Sequence, residues 1–454
     1  MDVDRKESTD LLRPKQRQEA NGRKASVWQE SGGPPDGGLR AYIVVIASFC
    51  TNGLIFGIIN SYSVIYLVLL KRLESQNVDG ATVKASLCGV LTIGCTFAIS
   101  PVSGILSNFL GLRTTTMVGG IIATIGLALS SFFVDNIDVL CVTYGIIYGL
   151  GASLAYTPSL AILGHYFKKK LGIVNGVVTI GSSVFTVSLP PLMEYMINNY
   201  GLSGMFRVLA VFGFGIFLCG ILFKPVAITK PVNTKKGAWP LLRIIMGVEL
   251  WKKRRYTLWA LIMPVALFGY FVPYVHIKKY IEDLNFENDI NMNLPLQGLA
   301  VTSAIGRLIF GYLSDRPRVN KIMIQQIMFY TIGTLTIMLA FAKAFWVIVL
   351  IALGMGVCEG GFIALIGPIA FELCGCKHAA EGIGCMLGLA AYPLCFGPPL
   401  AAHLYSTTLT YTLPFILSGI TPIVGASLMF LIYFQKRKPN QTETNGHAIS
   451  LERA

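Results

Sequence analysis

The stretch GLAVTSAIGRLIFGYLSDRPRVNK, residues 298–321, is an apolar run with one arginine, Arg307, near its middle. A cluster of charge that begins at Asp315 and Arg316 ends the run. The run is about as long as the roughly 20 residues that a helix needs to cross a bilayer core. An arginine at mid-span costs at least ~2.5 kcal/mol, so such residues usually face a protein interior or an aqueous cavity. We therefore predict that Arg307 is the charged centre of a translocation pathway; the alternative is an arginine with a purely structural role.

The composition of the whole chain is that of a membrane protein. Of its 454 residues, 54% are hydrophobic and 13% are charged, whereas soluble proteins carry about 25% charged residues. The apolar residues fall in twelve long blocks, which predicts an all-α membrane protein with twelve transmembrane helices. No cleavable signal peptide is visible. The ten cysteines show no metal-ligand spacing, so we predict reduced structural thiols and no cofactor.

The blocks divide the chain into five regions. We predict a disordered cytoplasmic tail over 1–40, a six-helix bundle over 41–223, a basic cytoplasmic loop over 224–256, a second six-helix bundle over 257–434 and a cytoplasmic tail over 435–454. With both termini in the cytoplasm, 29 of the 37 lysines and arginines lie on the inner side and 6 on the outer side. This asymmetry follows the positive-inside rule. The net charge of +14 therefore reflects topology and does not indicate nucleic-acid binding.

A weak internal repeat indicates that the two bundles are related. GILSN at 104–108 ends the second block and GYLSD at 311–315 ends the eighth, and an arginine follows each, Arg113 and Arg316. Matching turns after the second span of each half are typical of parallel repeats, which is the organisation of the major facilitator superfamily. We expect Arg113, Asp315 and Arg316 to latch the two halves together in one conformation.

Two further stretches carry a resemblance to one family of that superfamily. PPDGG at 34–38 precedes the first span, and HYFKKKLGIVNG at 165–176 enters the fifth. Both resemble signatures of the monocarboxylate transporter family, solute carrier family 16. The tryptophans that follow the first signature in the family are Leu39 and Tyr42 here.

The stretches YFVPYVH at 270–276 and IGRL at 305–308 resemble the branch of this family that carries thyroid hormones and aromatic amino acids. The resemblance implies that Arg307 and Glu359 are the paired charges of the substrate site and that His276 is a polar contact near the extracellular side. Glu359 stands where the branch typically has aspartate. Ile59 stands where thyroid-hormone carriers have histidine, which weighs against transport of the hormones themselves.

The same comparison weighs against proton-coupled lactate transport. Asn60, which we place in the substrate site, stands where the proton-coupled relatives carry a lysine. Ser303 stands where they carry an aspartate, one turn before the arginine. Without these two groups, the proton relay of those relatives has no visible equivalent here.

An amino acid needs a cation for its carboxylate and an acceptor for its ammonium group. Arg307 offers a planar fork that can hold a carboxylate with two hydrogen bonds. Glu359 lies in an apolar setting where a lone carboxylate is costly. We expect the two side chains to face one another in the empty site and to part when substrate binds. The alternative is a permanent buried ion pair.

The leading functional hypothesis is a plasma-membrane facilitative transporter that works by alternating access, independently of protons and sodium. Its substrates are aromatic amino acids or related amphipathic monocarboxylates. The alternatives are a proton-coupled symporter of the lactate and pyruvate type and a sensor or scaffold without transport activity. No phosphate loop, nucleophile elbow or metal spacing indicates an enzyme. The expected partners are a small-molecule substrate and the lipid bilayer, with a single-span ancillary protein as a further candidate.

Overall fold

The computed structural model describes residues 36–77, 81–224, 248–284, 286, 292–376 and 378–434. These residues form helices joined by short turns, with no β-strand among them. Residues 1–35 of the tail predicted over 1–40, the whole tail predicted over 435–454, and residues 225–247 of the predicted basic loop lie outside the described residues.

The helices form twelve spans, numbered here in chain order. In the first half, span 1 comprises Leu39–Asn60 and Tyr62–Ser75, span 2 comprises Ala81–Ala98 and Ser100–Leu110, and span 3 is Leu112–Phe132. Span 4 comprises four helical pieces: Ile137–Leu140, the π-helix Cys141–Tyr148, Gly149–Ala161 and Leu163–Tyr166. Spans 5 and 6 are both contained in the segment Leu171–Leu222. In the second half, the short helix Val248–Trp251 precedes span 7, Arg254–Leu267 and Val272–Asp283; then follow span 8 Leu294–Ser314, span 9 Lys321–Leu339, span 10 Phe345–Cys374, span 11 Ala379–Thr408, and span 12 Thr412–Leu428 and Phe430–Tyr433.

The number twelve depends on two bent segments. Ten segments of the described residues are individually long and apolar enough to cross a membrane, and the two helices of span 2, bent by 44°, make an eleventh. The segment Leu171–Leu222 has 52 residues, and a helix of that length measures about 78 Å, whereas the hydrocarbon core is about 30 Å thick. It therefore contains two spans, which meet at Gly201, where φ is 70° and ψ is 179°.

Packing register shows that the chain reverses direction at Gly201. Span 5 runs parallel to span 1, with Gly181 on Phe49 and, further along both helices, Leu189 on Gly57. Span 6 runs antiparallel to span 3, with contacts at Gly213–Thr124 and Gly220–Met117. Since spans 1 and 3 point the same way, spans 5 and 6 point in opposite directions. The prediction of twelve transmembrane helices in an all-α fold is confirmed.

The two halves meet mainly along two helix pairs, span 2 with span 11 and span 5 with span 8. Glycines let the backbones approach closely in both pairs. Gly104 of span 2 lies on the backbone of Ala380 and Glu381, and Gly176 of span 5 lies on the Arg307 carbonyl. These contacts lie toward the end of the molecule that carries Lys168, Lys169 and Lys170 between spans 4 and 5, here termed the Lys-rich face. The backbones of the two halves are therefore in contact on this side.

We expect Gly201→Ala to destabilise the first half by about 1–3 kcal/mol, because its backbone angles lie in a region that is essentially restricted to glycine. A Cβ at this position meets no neighbouring atom, so the backbone conformation alone accounts for the loss. The measurement is the thermal unfolding of purified protein in detergent. Gly215→Ala, in the helical part of span 6, is the control. Equal melting temperatures for Gly201→Ala and the wild type would contradict the strained turn.

Candidate substrate site

A cavity of about 150 Å³ lies between the two halves and contains both predicted charges. Its walls come from spans 1, 2, 4 and 5 of the first half and from spans 7, 8, 10 and 11 of the second. The polar residues in these walls, apart from the tyrosines, are Asn52, Asn60, Thr179, Ser182, Arg307 and Glu359. A cavity between helices of two bundles is a usual position for a ligand site.

Arg307 belongs to the second half, but the first half supplies its hydrogen-bond acceptors. One terminal nitrogen of the guanidinium donates to the Thr179 carbonyl and to the Ser182 hydroxyl, both on span 5. The residue is only 5% exposed, and its Nε is buried without a hydrogen-bond partner among the described residues. The guanidinium is therefore held in place by one edge and keeps donors free for a further acceptor.

Close packing of span 8 on span 10 positions Arg307 beside Glu359. Gly306 lies on the Val357 backbone, and Gly360 lies against Ser303 and the Arg307 backbone nitrogen. A side chain at either glycine would push the two helices apart. Gly306, next to Arg307, and Gly360, next to Glu359, therefore serve helix packing, which brings the two charged residues to the same level of the membrane.

Glu359 and Arg307 form a long ion pair. The distance from Nη2 of Arg307 to Oε1 of Glu359 is 3.9 Å, with 7% and 14% of the two side chains exposed. A charge-assisted hydrogen bond would be about 2.7–2.9 Å long, so the two residues face one another without being bonded tightly. This geometry agrees with charges that part to receive a ligand.

Aromatic rings from both halves surround the charged pair. In the first half, Phe56 meets Tyr156 edge to face, with ring centroids 4.8 Å apart. In the second, Tyr270 meets Phe362 edge to face at 5.1 Å. Tyr156 is an electrostatic neighbour of Arg307, and Tyr270 is one of Glu359. These rings make an apolar box that suits an aromatic side chain.

Sequence reasoning did not identify these rings. Tyr270 reaches the cavity because span 7 is interrupted by a turn at residues 268–271, between its two helices. Gly269 in this turn donates its N–H to Thr421 of span 12 at 2.9 Å. Pro273 at the start of the second helix is the sequence signal that marks the interruption.

Two asparagines of span 1 line the cavity. Asn60, predicted from the sequence, is exposed and donates to the Thr186 hydroxyl at 3.0 Å. Asn52, which was missed, is 2% exposed, and its Nδ2 has no hydrogen-bond partner among the described residues. A buried donor without a partner costs about 1–3 kcal/mol, so Asn52 is available to a polar ligand group.

The structure does not bring His276 into the cavity. Its Nε2 lies 3.1 Å from the Pro398 carbonyl of span 11, and its Nδ1 lies 3.4 Å from the Tyr411 hydroxyl. The predicted contact therefore lies at a separate level, in the second helix of span 7.

The three predicted latch residues have different surroundings. Asp315 accepts the backbone N–H of Gly172 at 2.6 Å and that of Ile173 at 2.9 Å, at the start of span 5 in the other half. Burial raises the pKa of Asp315 above its ordinary value, and the two N–H donors oppose this shift. Arg316 is exposed and lies over the Tyr312 ring, and Arg113 is exposed at the start of span 3. Only Asp315 of the three makes a described bond between the halves.

The matching contact of the other helix pair was not predicted. Asn108, the counterpart of Asp315 in the repeat, donates to Oε1 of Glu381 in the first turn of span 11 at 2.5 Å. Oε2 of Glu381 also lies 3.0 Å from Nδ1 of His378. Each helix pair therefore has one carboxylate at the Lys-rich face. In the pair of spans 5 and 8 the carboxylate follows span 8, whereas in the pair of spans 2 and 11 it is on span 11 and not on span 2, the counterpart of span 8 in the repeat.

Asp36, in the stretch that resembles the first family signature, has a structural role at the same face. Asp36 accepts the backbone N–H groups of Lys168 and Lys169 at 2.6 and 2.7 Å. Its own N–H donates to the Tyr166 carbonyl. The segment before span 1 is thereby fastened to the junction of spans 4 and 5.

The fold and the site between the halves define a class of transporter. A family model described as Major Facilitator Superfamily matches residues 42–353 and 298–451. The chain belongs to the major facilitator superfamily, and within it to the monocarboxylate transporters.

The second assignment is based on similarity to curated relatives. The chain is 38% identical over 423 residues to monocarboxylate transporter 10 of Danio rerio, covering 92% of this chain and 83% of the relative. It is 37% identical over 417 residues to monocarboxylate transporter 10 of Homo sapiens, covering 89% and 81%. Monocarboxylate transporter 13 of Rattus norvegicus is 26% identical over 403 residues, covering 88% and 90%. The predicted family and the prediction of a transporter rather than an enzyme are confirmed.

Two solved structures share the fold at low sequence identity. The human organic anion transporter MFSD10 aligns with a TM-score of 0.68 at 14% identity, covering 87% of this chain and 100% of that chain. The fucose:proton symporter of E. coli aligns with a TM-score of 0.65 at 14% identity and the same coverage. These matches confirm the predicted superfamily fold.

We expect Arg307→Lys to reach the membrane in near-normal amounts and to lose at least about tenfold in uptake, because an ammonium group cannot hold span 5 and a ligand carboxylate together as a guanidinium fork does. Surface biotinylation measures abundance and tracer uptake measures activity. Arg207→Lys, an exposed arginine of span 6 that contacts Ser203, is the control. Near-normal uptake of Arg307→Lys at normal abundance would remove this residue from the site.

We expect Glu359→Gln to lower surface abundance, because it leaves the buried guanidinium without its carboxylate, at a cost of up to ~3 kcal/mol. Glu359→Asp keeps the charge and should retain transport. Combining Glu359→Gln with Arg307→Gln should recover abundance better than either single change but should not recover uptake. The four proteins form a double-mutant cycle. Strictly additive losses of abundance would show that the two residues are uncoupled.

Proposed function

We propose that this protein is a facilitative, alternating-access transporter of aromatic amino acids or related amphipathic monocarboxylates, independent of protons and sodium. Arg307 binds the substrate carboxylate and Glu359 accepts its ammonium group. Asn60 and Asn52 add polar contacts, and the aromatic box holds the side chain. His276 is an outer contact that a substrate meets before it reaches the cavity.

The observation that carries the proposal is the long ion pair inside the aromatic box. Arg307 and Glu359 are 3.9 Å apart, and Arg307 retains a buried Nε without a partner. A zwitterionic amino acid carries both complementary charges on one carbon atom. It therefore satisfies both residues at once, while its ring replaces aromatic contacts already present. The relatives named monocarboxylate transporters support an acidic substrate.

The size of the cavity supports alternating access. Its volume of about 150 Å³ is below the roughly 300–1,000 Å³ of typical ligand pockets. A bulky substrate therefore requires the halves to part. The bonds of Asp315 and Asn108 hold the Lys-rich face closed, so we propose that the structure represents a state closed to that side. Release of substrate there requires both bonds to break.

The absence of a visible proton relay supports facilitated transport. Asn60 replaces the lysine of proton-coupled relatives, and its amide is bonded to Thr186. Ser303 replaces their aspartate, and its hydroxyl is buried without a partner among the described residues. Neither side chain titrates, so the driving force is the substrate gradient.

The positive-inside asymmetry supports an orientation with the Lys-rich face and both termini in the cytoplasm. By resemblance to the monocarboxylate transporter family, we place the protein in the plasma membrane, with a single-span ancillary protein as a candidate partner. A proteinase-protection assay on sealed cells, with tags on each terminus, tests the orientation.

We expect uptake of tryptophan, phenylalanine and tyrosine, with initial rates that are nearly constant between about pH 5 and 8, the range in which a histidine-type relay would titrate, and with no requirement for sodium. The measurement is tracer uptake by expressing cells, with lactate, kynurenine and iodothyronines in the same panel. The Arg307→Lys protein gives the background. A several-fold rise in rate at acid pH, with lactate accepted, would instead identify a proton-coupled monocarboxylate symporter.

A further inference from the structure

A second cavity opens at the Lys-rich face and has a volume of about 910 Å³. It lies between the loop that joins spans 4 and 5 in the first half and the loops that join spans 8 to 9 and 10 to 11 in the second. Its basic lining residues are Lys168, Lys169, Arg255, Arg316, Arg318 and Lys321, and its acidic ones are Asp315 and Glu372. The cavity therefore carries an excess of positive charge.

Each of the two acids already has a partner, and Lys321 is paired with one of them. Glu372 pairs with Lys321 at 3.2 Å, and Asp315 accepts the backbone N–H groups of Gly172 and Ile173. Lys168 and Lys169 use backbone N–H groups to bind Asp36, which leaves their exposed ammonium groups available.

Arginines of the second half complete the basic wall. Arg318 is exposed. Arg255 is partly buried, and its Nε is without a hydrogen-bond partner among the described residues. Buried donors in proteins normally have an acceptor. We infer that an oxygen atom of a bound anion is the acceptor for this Nε.

We propose that this cavity binds a ligand carrying two or more phosphate groups, either the headgroup of a phosphorylated inositol lipid or a free inositol phosphate. Guanidinium forks and lysine ammonium groups together match the geometry and charge of phosphate oxygens. The volume lies in the range of pockets for organic ligands. Phe371, which is partly exposed, gives the lining an apolar surface against which an inositol ring packs.

The position of the cavity gives the ligand an effect on transport. Lys168 and Lys169 belong to the first half, and Arg255 and Arg318 to the second, so a bound anion bridges the halves at the face that must open to release substrate. A ligand that binds only the closed arrangement favours that arrangement by its differential affinity. The inference relies on the cytoplasmic orientation proposed above, because the inner leaflet carries anionic lipids.

The test uses the full-length protein in phosphatidylcholine nanodiscs, with inositol 1,4,5-trisphosphate as the soluble probe and calorimetry as the readout. Combining Lys168→Ser, Lys169→Ser and Arg318→Ser removes three cavity charges but keeps the backbone bonds to Asp36. Combining Lys170→Ser, Lys252→Ser and Arg254→Ser removes three exposed charges of the same face that do not line the cavity. This triple variant is the matched control.

We expect the cavity variant to bind the trisphosphate at least about tenfold more weakly than the wild type, a loss of about 1.4 kcal/mol, and the control to bind like the wild type. Equal weakening in the two variants would show general attraction to a basic surface and would overturn the proposal.

A second arm distinguishes the sources of phosphate. Cys376 lines the cavity and is exposed, so bound ligand should slow its alkylation by a maleimide. If alkylation is slower in nanodiscs that contain phosphatidylinositol 4,5-bisphosphate but is unaffected by soluble trisphosphate, the ligand is the lipid headgroup. If both slow the alkylation, the cavity recognises the phosphate groups whether or not they are attached to a lipid. No protection and no calorimetric binding would reject the site. Neither measurement uses a transported substrate, so failure of the uptake panel leaves this result intact.

Discussion

A guanidinium buried within the membrane must find acceptors, and Arg307 finds them in the opposite half of the molecule. Its bonds to the Thr179 carbonyl and the Ser182 hydroxyl connect span 8 to span 5. The charge that we propose for substrate binding is therefore also a charge that connects the halves. On our proposal, a ligand carboxylate binds the remaining donors of the same guanidinium, which couples occupancy of the site to the connection between the two halves.

The remaining architecture follows from how closely the helices approach. Spans 8 and 10 touch through the backbones of Gly306 and Gly360, and spans 5 and 8 touch through Gly176. Backbone contacts of this kind leave little freedom to adjust by changing side-chain rotamers. The movement that we propose between the halves is therefore a sliding or rocking of whole helices, in which each ring of the aromatic box moves with the helix that carries it.

Sequence reasoning located features whose energetic cost in a membrane can be read from the order of the residues alone. A charge in an apolar run is conspicuous, so Arg307 was predicted from the run itself, whereas Glu359 was predicted from the family resemblance. Apolar blocks of sufficient length predicted the twelve spans. Tyr156 and Asn52 were missed because a helix that is apolar on all sides shows no periodic face that separates cavity from lipid. The partners of Asp315 could not be predicted either, because nearly every residue type carries a backbone N–H group. His276 lies outside the cavity because span 7 is interrupted between the binding-site rings and the second helix.

At the Lys-rich face, one carboxylate contact joins the halves in each helix pair. The two contacts differ chemically, although they occupy matching positions in the internal repeat. Asp315 binds the main-chain N–H groups of Gly172 and Ile173. These donors do not depend on residue type, but a side chain at Gly172 would collide with Ser314 and with Asp315 itself. Asn108 and Glu381 bind through side chains, and the latter also contacts an imidazole that gains charge only when protonated. One seam thus depends on main-chain donors, and the other depends on side chains at both partners. The equilibrium between closed and open arrangements of the halves is therefore adjusted most easily, by evolution or by physiological conditions, at the seam between spans 2 and 11.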